Sequence, residues 1–280
     1  MSKSQVSRMR NWPLRLLIFI FLSVTALVIL LPVIWMTLCA FKPQTQIIRF
    51  PPRFFPESLT VDNFTSVFKR IKLSAYIRNS LIYALGTTIP SLFINSLAGY
   101  AFARMEFKGK NVLFIITLAT MMIPFQVIMV PLFLGIYNCG LYDTYGGLIL
   151  PKVASAISIF MMRAAFAPLP VELEEAARID GLSEFGIYWK IMLPQVKPAL
   201  ITLAILGINN AWNDLLWPLL VTSSTQMRTL TNGLALFVGE NTIQYGAAFA
   251  GAFISIIPML LVYLFGQKYF VEGTATTGLK

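Results

Sequence analysis

The sequence predicts an all-α membrane protein with six transmembrane helices, and three observations lead there. Hydrophobic residues make up 57% of the chain against 12% charged, and the mean hydropathy is +0.72. A soluble core of that composition would lack the polar residues to cover it. The apolar residues fall in long runs, each near the ~20 residues that cross ~30 Å of hydrocarbon as a helix. The 22 Lys and Arg residues, which leave a net charge of +10, gather at the ends of those runs, where the positive-inside bias puts them. That placement sets nucleic acid aside as a partner and makes membrane lipid the surroundings.

Taken in order, residues 1–15 carry Lys3, Arg8, Arg10 and Arg15 with no acid, and form a cytoplasmic N-terminus. The run behind them is too long for a signal-peptide core and has no clean small-residue cleavage site, so about 16–38 is the first span. Pro43, Pro51, Pro52 and Pro56 make the next stretch an external loop with one short amphipathic helix near Ser58–Phe68. Lys69, Arg70, Lys72 and Arg78 in that loop are read as snorkelling from the membrane surface. Further spans follow at about 79–103, 111–134, 147–166, 199–220 and 247–270, with Pro124 and Pro131 in the third and Pro258 in the sixth. Residues 16–270 thus form one transmembrane domain, 168–198 a cytoplasmic loop between the fourth and fifth helices, and 271–280 a small, polar cytoplasmic tail.

Several chemistries drop out. There is no histidine, and Cys39 and Cys139 are the only cysteines, which removes a His general base, a Cys/His zinc site and a disulfide framework. No catalytic, cofactor-binding or metal-ligating residue is assigned. The chain has no G-x-x-x-x-G-K-[ST], so it cannot cradle ATP phosphates.

The polar stretch Pro168–Leu200 is not built as a plain connector. Glu172, Glu174 and Glu175 crowd the start of a short helix, where the dipole favours acids. Gly181 turns the chain, and Ser183 caps a second short helix that reaches Met192 and stops at Pro194. Two helices at an elbow would expose small residues and an aromatic face of Phe185, Tyr188 and Trp189, a surface suited to another protein's cleft.

Here a family resemblance enters. Glu175-Ala176-Ala177, then Gly181, then Ile191-Met192-Leu193-Pro194 stand at the spacing of the EAA loop of ATP-binding-cassette importer permeases, which this segment resembles. Trp212-Asn213-Asp214-Leu215-Leu216-Trp217-Pro218 is similar to the WND-x-x-WP stretch of the carbohydrate, maltose-type branch. So are Leu59, Thr60, Asn63 and Phe64 in the first loop, and Arg178-Ile179-Asp180-Gly181. The tail resembles that branch's small-residue ending but departs from it at Thr276 and Thr277. The resemblance implies a permease without ATPase activity of its own, in the cytoplasmic membrane of a bacterium or archaeon. Its implied partners are a second, related permease chain, two cytoplasmic ATPase subunits that hold ATP and Mg, and an extracytoplasmic solute-binding protein. It further implies that Glu175, Ala176, Ala177, Asp180, Gly181, Ile191, Leu193 and Pro194 couple the chain to the ATPase. The cargo it implies is a sugar or oligosaccharide, with glycerol phosphate or another non-sugar solute as the alternative.

Polar residues inside spans are the default candidates for a solute path. Asn209, Asn210, Asn213 and Asp214 fall at i, i+3 and i+4 spacings on the fifth span. With Trp212 and Trp217 beside them they would offer hydroxyl partners and a flat ring to a sugar. Hydrogen bonding between helices, or a cap, is the plainer account of the same residues. No Lys or Arg is placed at mid-depth, which favours a neutral solute. A secondary transporter would account for the spans but not for the elbow, and would call for inverted repeats or buried ion-coupling acids.

Overall fold

The computed structural model describes residues 12–238 and 244–277, without the side chains of residue 13 and residues 267–277. Lys3, Arg8 and Arg10, the side chains of Thr276 and Thr277, and Lys280 lie outside the described part. The described residues are helical with no strand. Three helices are each long and apolar enough to cross a membrane, or up to six elements if each bent pair counts as one span. The residues group into two compact units.

The first unit holds residues 1–70 and 234–254. Helix α1 (Trp12–Ala40) exposes every described residue from Leu14 to Ile34, as a helix whose solvent is lipid does. Behind it the chain is knotted by polar contacts. Lys42 is 2% exposed; its Nζ donates to the carbonyls of Arg53 and Phe54 at 2.7 and 2.9 Å and lies 4.4 Å over the Trp35 ring. Helix α2 (Asp62–Arg70) is held through Asn63, whose Nδ2 donates to the carbonyls of Ala40 and Lys42. Phe64 packs on Phe41 and Phe253. The Asn-Phe of the first-loop motif is therefore a structural clasp.

The second unit, residues 71–233 and 255–280, is organised by α3 (Leu73–Arg104). Its buried face reads Asn79, Ser80, Tyr83, Thr87, Thr88, Asn95, Ser96 and Tyr100, while Ile82, Leu85, Ile89 and Phe93 are exposed. The usual arrangement is inverted because lipid solvates the apolar face, leaving polar groups to join helices. Asn79 shows the device: Nδ2 donates to the carbonyls of Gln226 and Arg228, and Oδ1 accepts from Tyr145.

Three of the expected helices are interrupted. The third span is α4 (Lys110–Thr120) and α5 (Phe125–Asn138), bent by 99°, because Pro124 supplies no N–H and disfavours the helix before it. The fourth is α6 (Tyr145–Ile149) running through a 3₁₀ turn at Leu150–Lys152, then α7 (Ala156–Phe166), with a 46° bend. Asn95 of α3 repairs that break, donating to the Val153 carbonyl and accepting from the Ser155 N–H. Such repair is what irregular backbone among apolar helices requires.

Beyond α8 (Glu172–Ile179) and α9 (Glu184–Ile187), the fifth span is α10 (Lys197–Trp212) and α11 (Leu216–Val221). It breaks within the WND stretch. Asp214 caps α11 by accepting from the Trp217 N–H, and Trp217 Nε1 donates to the carbonyls of Gly147 and Leu148. Then come α12 (Leu230–Ala235) and α13 (Tyr245–Thr277), which continues helically past the expected end at Phe270.

Candidate functional site

Two features stand out in the second unit: the elbow of 172–195 and a cavity walled by α3, α5, α7 and α10.

The elbow opens with α8, whose i, i+3 pair Glu174 and Ala177 turns inward. Glu174 is 2% exposed and its Oε1 accepts from Arg104 Nε at 2.9 Å, while Arg104 Nη1 donates to the Leu169 carbonyl. This buried ion pair, absent from the reading of the sequence, fastens the start of the elbow to the last residue of α3. The chain then reverses at Gly181, whose φ of +82° belongs to glycine. Across the reversal Arg178 donates two hydrogen bonds to Glu184 and so holds that carboxyl below its ordinary range. Ser183 caps α9 through the Gly186 N–H, as expected. Instead of a helix ending at Pro194 there is a π-helical turn at Tyr188–Met192, and Pro194 enters the first turn of the short helix Leu193–Gln195, a position that needs no N–H.

The expected aromatic face divides. Phe185 and Trp189 are exposed and stacked at 6.4 Å and 13°. Tyr188 is buried: its hydroxyl meets Ser96 Oγ at 2.7 Å, and its ring packs on Tyr100 and Phe166. Ala177 and Met192 are buried with it, and Ile191 and Leu193 pack at the edge of that cluster. The outward surface is Glu175, Ala176, Asp180, Gly181 and Pro194, together with Ile179, an apolar side chain 86% exposed. Of the expected coupling residues, then, Ala177, Ile191 and Leu193 serve packing within the chain, and five stand on the surface.

The cavity encloses about 780 Å³. Of the fifth-span candidates it takes Asn210 and Asp214, one i, i+4 pair. Asn209 and Asn213, the other pair, are exposed and bonded to each other, with Asn213 Nδ2 donating to Asn209 Oδ1 at 3.0 Å. Trp212 is 2% exposed, donates to the Ser255 carbonyl and does not border the cavity. The flat ring expected from it is instead Phe125, at the bend between α4 and α5.

One cation does lie within the fourth span, nearer its start than its middle: Lys152, at the end of the 3₁₀ turn after α6. Its Nζ stands 3.2 Å from Asp214 Oδ2 and 3.8 Å over the Phe125 ring. Tyr83 donates to the same Oδ2 at 2.9 Å. The signal for this cation in the sequence is a lysine directly after Pro151, inside the apolar run 147–166. Thr87 and Thr88 also border the cavity, though their hydroxyl oxygens are buried and have no hydrogen-bond partner among the described residues.

Broken apolar helices around a cavity with a few polar groups, and an exposed elbow clamped to the end of the continuous α3, define a multi-pass membrane protein of the transport class. Residues 92–274 match the family described as binding-protein-dependent transport system inner membrane component, and the chain belongs to it. Similar chains include the arabinooligosaccharides transport system permease protein AraQ of Halalkalibacterium halodurans, 37% identical over 99% of both chains. The lactose transport system permease protein LacG of Rhizobium radiobacter is 33% identical over 90% of this chain and 92% of its own. Among solved structures, a bacterial ABC transporter involved in import of the acidic polysaccharide alginate has a chain of the same fold. The TM-score is 0.81 at 24% identity, covering 96% of this chain and 99% of that one.

Proposed function

We propose that this chain is one of two membrane subunits of an ATP-driven importer of a sugar or oligosaccharide. An extracytoplasmic binding protein hands the solute over, and two ATPase subunits dock on the cytoplasmic side, where both termini lie. The observation that carries the reading is the elbow: an exposed set of Glu175, Ala176, Ile179 and Asp180 on a base held by the buried Arg104–Glu174 pair. Apolar and acidic groups displayed on so rigid a support suit a partner's groove. A displacement of the elbow passes through Arg104 to the end of α3 and through the Tyr188–Ser96 contact to a point about two turns before that end.

Glu175 would pair with a basic residue of the ATPase, which would hold ATP and Mg. Closure of the ATPase pair would then rock the membrane helices between outward-open and inward-open states. The saccharide cargo is supported by relatives named for arabinooligosaccharides, lactose and trehalose, and by hydroxyl and carboxamide groups set in a mainly apolar cavity wall. An anionic cargo such as glycerol phosphate has Lys152 in its favour. Asp214, 3.2 Å away, cancels that charge, so the neutral cargo is preferred.

Affinity purification of the chain from its native membranes in mild detergent tests the assembly. Recovery of a Walker-motif ATPase and a second, related permease in near-equal amounts supports it. A chain recovered alone, or as a homo-oligomer without ATPase, points to an ATP-independent transporter. Reconstituted into vesicles with the binding protein, the complex should take up lactose, trehalose or arabinotriose when ATP is supplied.

A further inference from the structure

The only charged residues on the cavity wall, among the described residues, are Lys152 and Asp214. Three interrupted segments meet at them: Phe125 opens α5 after the 99° bend, Lys152 ends the 3₁₀ turn before α7, and Asp214 lies between α10 and α11. Helix interruptions that converge on a cavity leave backbone and side-chain polar groups there instead of in a ladder. Asp214 is well supplied: Oδ2 accepts from Tyr83 and Lys152, and Oδ1 from the Trp217 N–H. Lys152 is not. An ammonium has three donors; one points to Asp214 and the Phe125 ring takes one face by cation–π attraction. At least one donor is left over.

The remaining polar groups of the wall sort the same way. Asn95 is consumed by the fourth-span break, and Ser155 caps α7. Thr87 and Thr88, 8% and 3% exposed, keep their hydroxyl oxygens buried, out of reach of a molecule in the cavity.

We propose that Lys152 and Asp214 form a charge-neutral recognition pair in this chain's own cavity. The spare Lys152 donor and the fourth lone-pair position of Asp214 would engage neighbouring hydroxyls of an uncharged saccharide. Phe125 offers its ring beside them. Asp214 has a second task, cancelling a cation that would otherwise select acidic solutes. This deepens the saccharide-importer reading and rests on it. It adds the solute-contacting residue Lys152 and assigns contact to this subunit rather than to its partner alone.

The test uses the complete transporter with its binding protein in lipid nanodiscs, with Cys39→Ala and Cys139→Ser removing the native thiols. Ala154→Cys, an exposed cavity-wall position outside the pair, is the reporter for a water-soluble methanethiosulfonate reagent. Lactose, trehalose, arabinotriose and trigalacturonate are the probes, each paired with an uptake assay on the same complex in vesicles. At about ten times its apparent Kd, the transported neutral sugar should slow labelling about tenfold by occupancy alone. Lys152→Met should abolish that protection and Lys152→Arg should keep part of it.

Lys152→Met combined with Asp214→Leu leaves no unpaired buried charge, and so separates recognition from folding. Full protection in that double variant overturns the proposal, because a merely structural pair would behave so. Protection by trigalacturonate alone overturns it too, as does uptake of a neutral sugar without protection. If the unmodified complex takes up none of the four, the importer reading falls and this proposal with it.

Discussion

Arg104 and Glu174 illustrate how a single contact can matter more than the residues a motif advertises. With side chains 12% and 3% exposed, the pair lies outside the screening reach of water. Removing one partner strands the other charge. Glu174→Ala should lower stability by about 3–5 kcal/mol, whereas Arg104→Met with Glu174→Leu should recover most of it; thermal inactivation in detergent measures both. Asp143 gives the pH-dependent case. Burial pushes its carboxyl up, but the N–H groups of Ser223 and Ser224 donate to it and leave it below its ordinary value of 3.8. A lowered carboxyl contributes stability above its unfolded value and loses it as pH falls through the folded one. The gap in melting temperature between the protein and Asp143→Asn should hold steady from neutral pH to about 4 and close below that. Neither residue was legible as a site. The three glutamates of α8 looked alike in sequence, and which of them turns inward depends on where α3 ends.

At the scale of elements, the breaks decide what the helices can do. The bend at Pro124 could be read from the proline, and the Gly181 reversal from the glycine. The break at 213–215 could not, because Asn213 and Asp214 fit a helical face as well as they fit a cap. A composition rule sees polarity, and only the neighbouring α6 carbonyls settle that Trp217 ends the matter. Gly181→Ala would meet no atom within 4 Å, so its cost is conformational alone, about 1–2 kcal/mol. Gly181→Pro cannot reach a positive φ and also loses the N–H that bonds the Arg178 carbonyl. We expect the alanine variant to retain solute-driven ATP hydrolysis in the assembled complex and the proline variant to lose it. Gly99 is the opposite case: a Cβ there would lie 2.5 Å from Met162 Cβ. Gly99→Leu should therefore force α3 and α7 apart at a cost of about 1–3 kcal/mol, read from the same thermal assay.

For the whole molecule, hydropathy carried most of the fold. Long apolar runs of about 20 residues mark helices in lipid because only helices and closed barrels satisfy their backbone there, and the long helices α1, α3 and α13 contain the expected runs and extend beyond them. The elbow was legible through its turn residues and its spacing. The cavity was legible only in part, since it draws on four helices far apart in sequence. Topology can be tested with the chain's two native thiols. Cys39 is buried and Cys139 exposed, so an N-terminus in the cytoplasm requires an impermeant maleimide to label Cys139 on intact cells. A cysteine at Ala176 should react only after the membrane is opened. Labelling in the reverse sense would invert every inside and outside assignment made above.

The clamp at the end of α3 also has a history in time. Its two members stand 70 residues apart, and a ribosome adding roughly 5–20 residues per second takes about 4 to 14 s to make the second after the first. During that interval Glu174 does not yet exist, and the guanidinium is left to water and to the exposed Glu106 carboxyl two residues on. The nascent protein therefore waits on its own later sequence. A pause in translation between the two codons should lengthen the vulnerable period without altering a single contact in the finished protein.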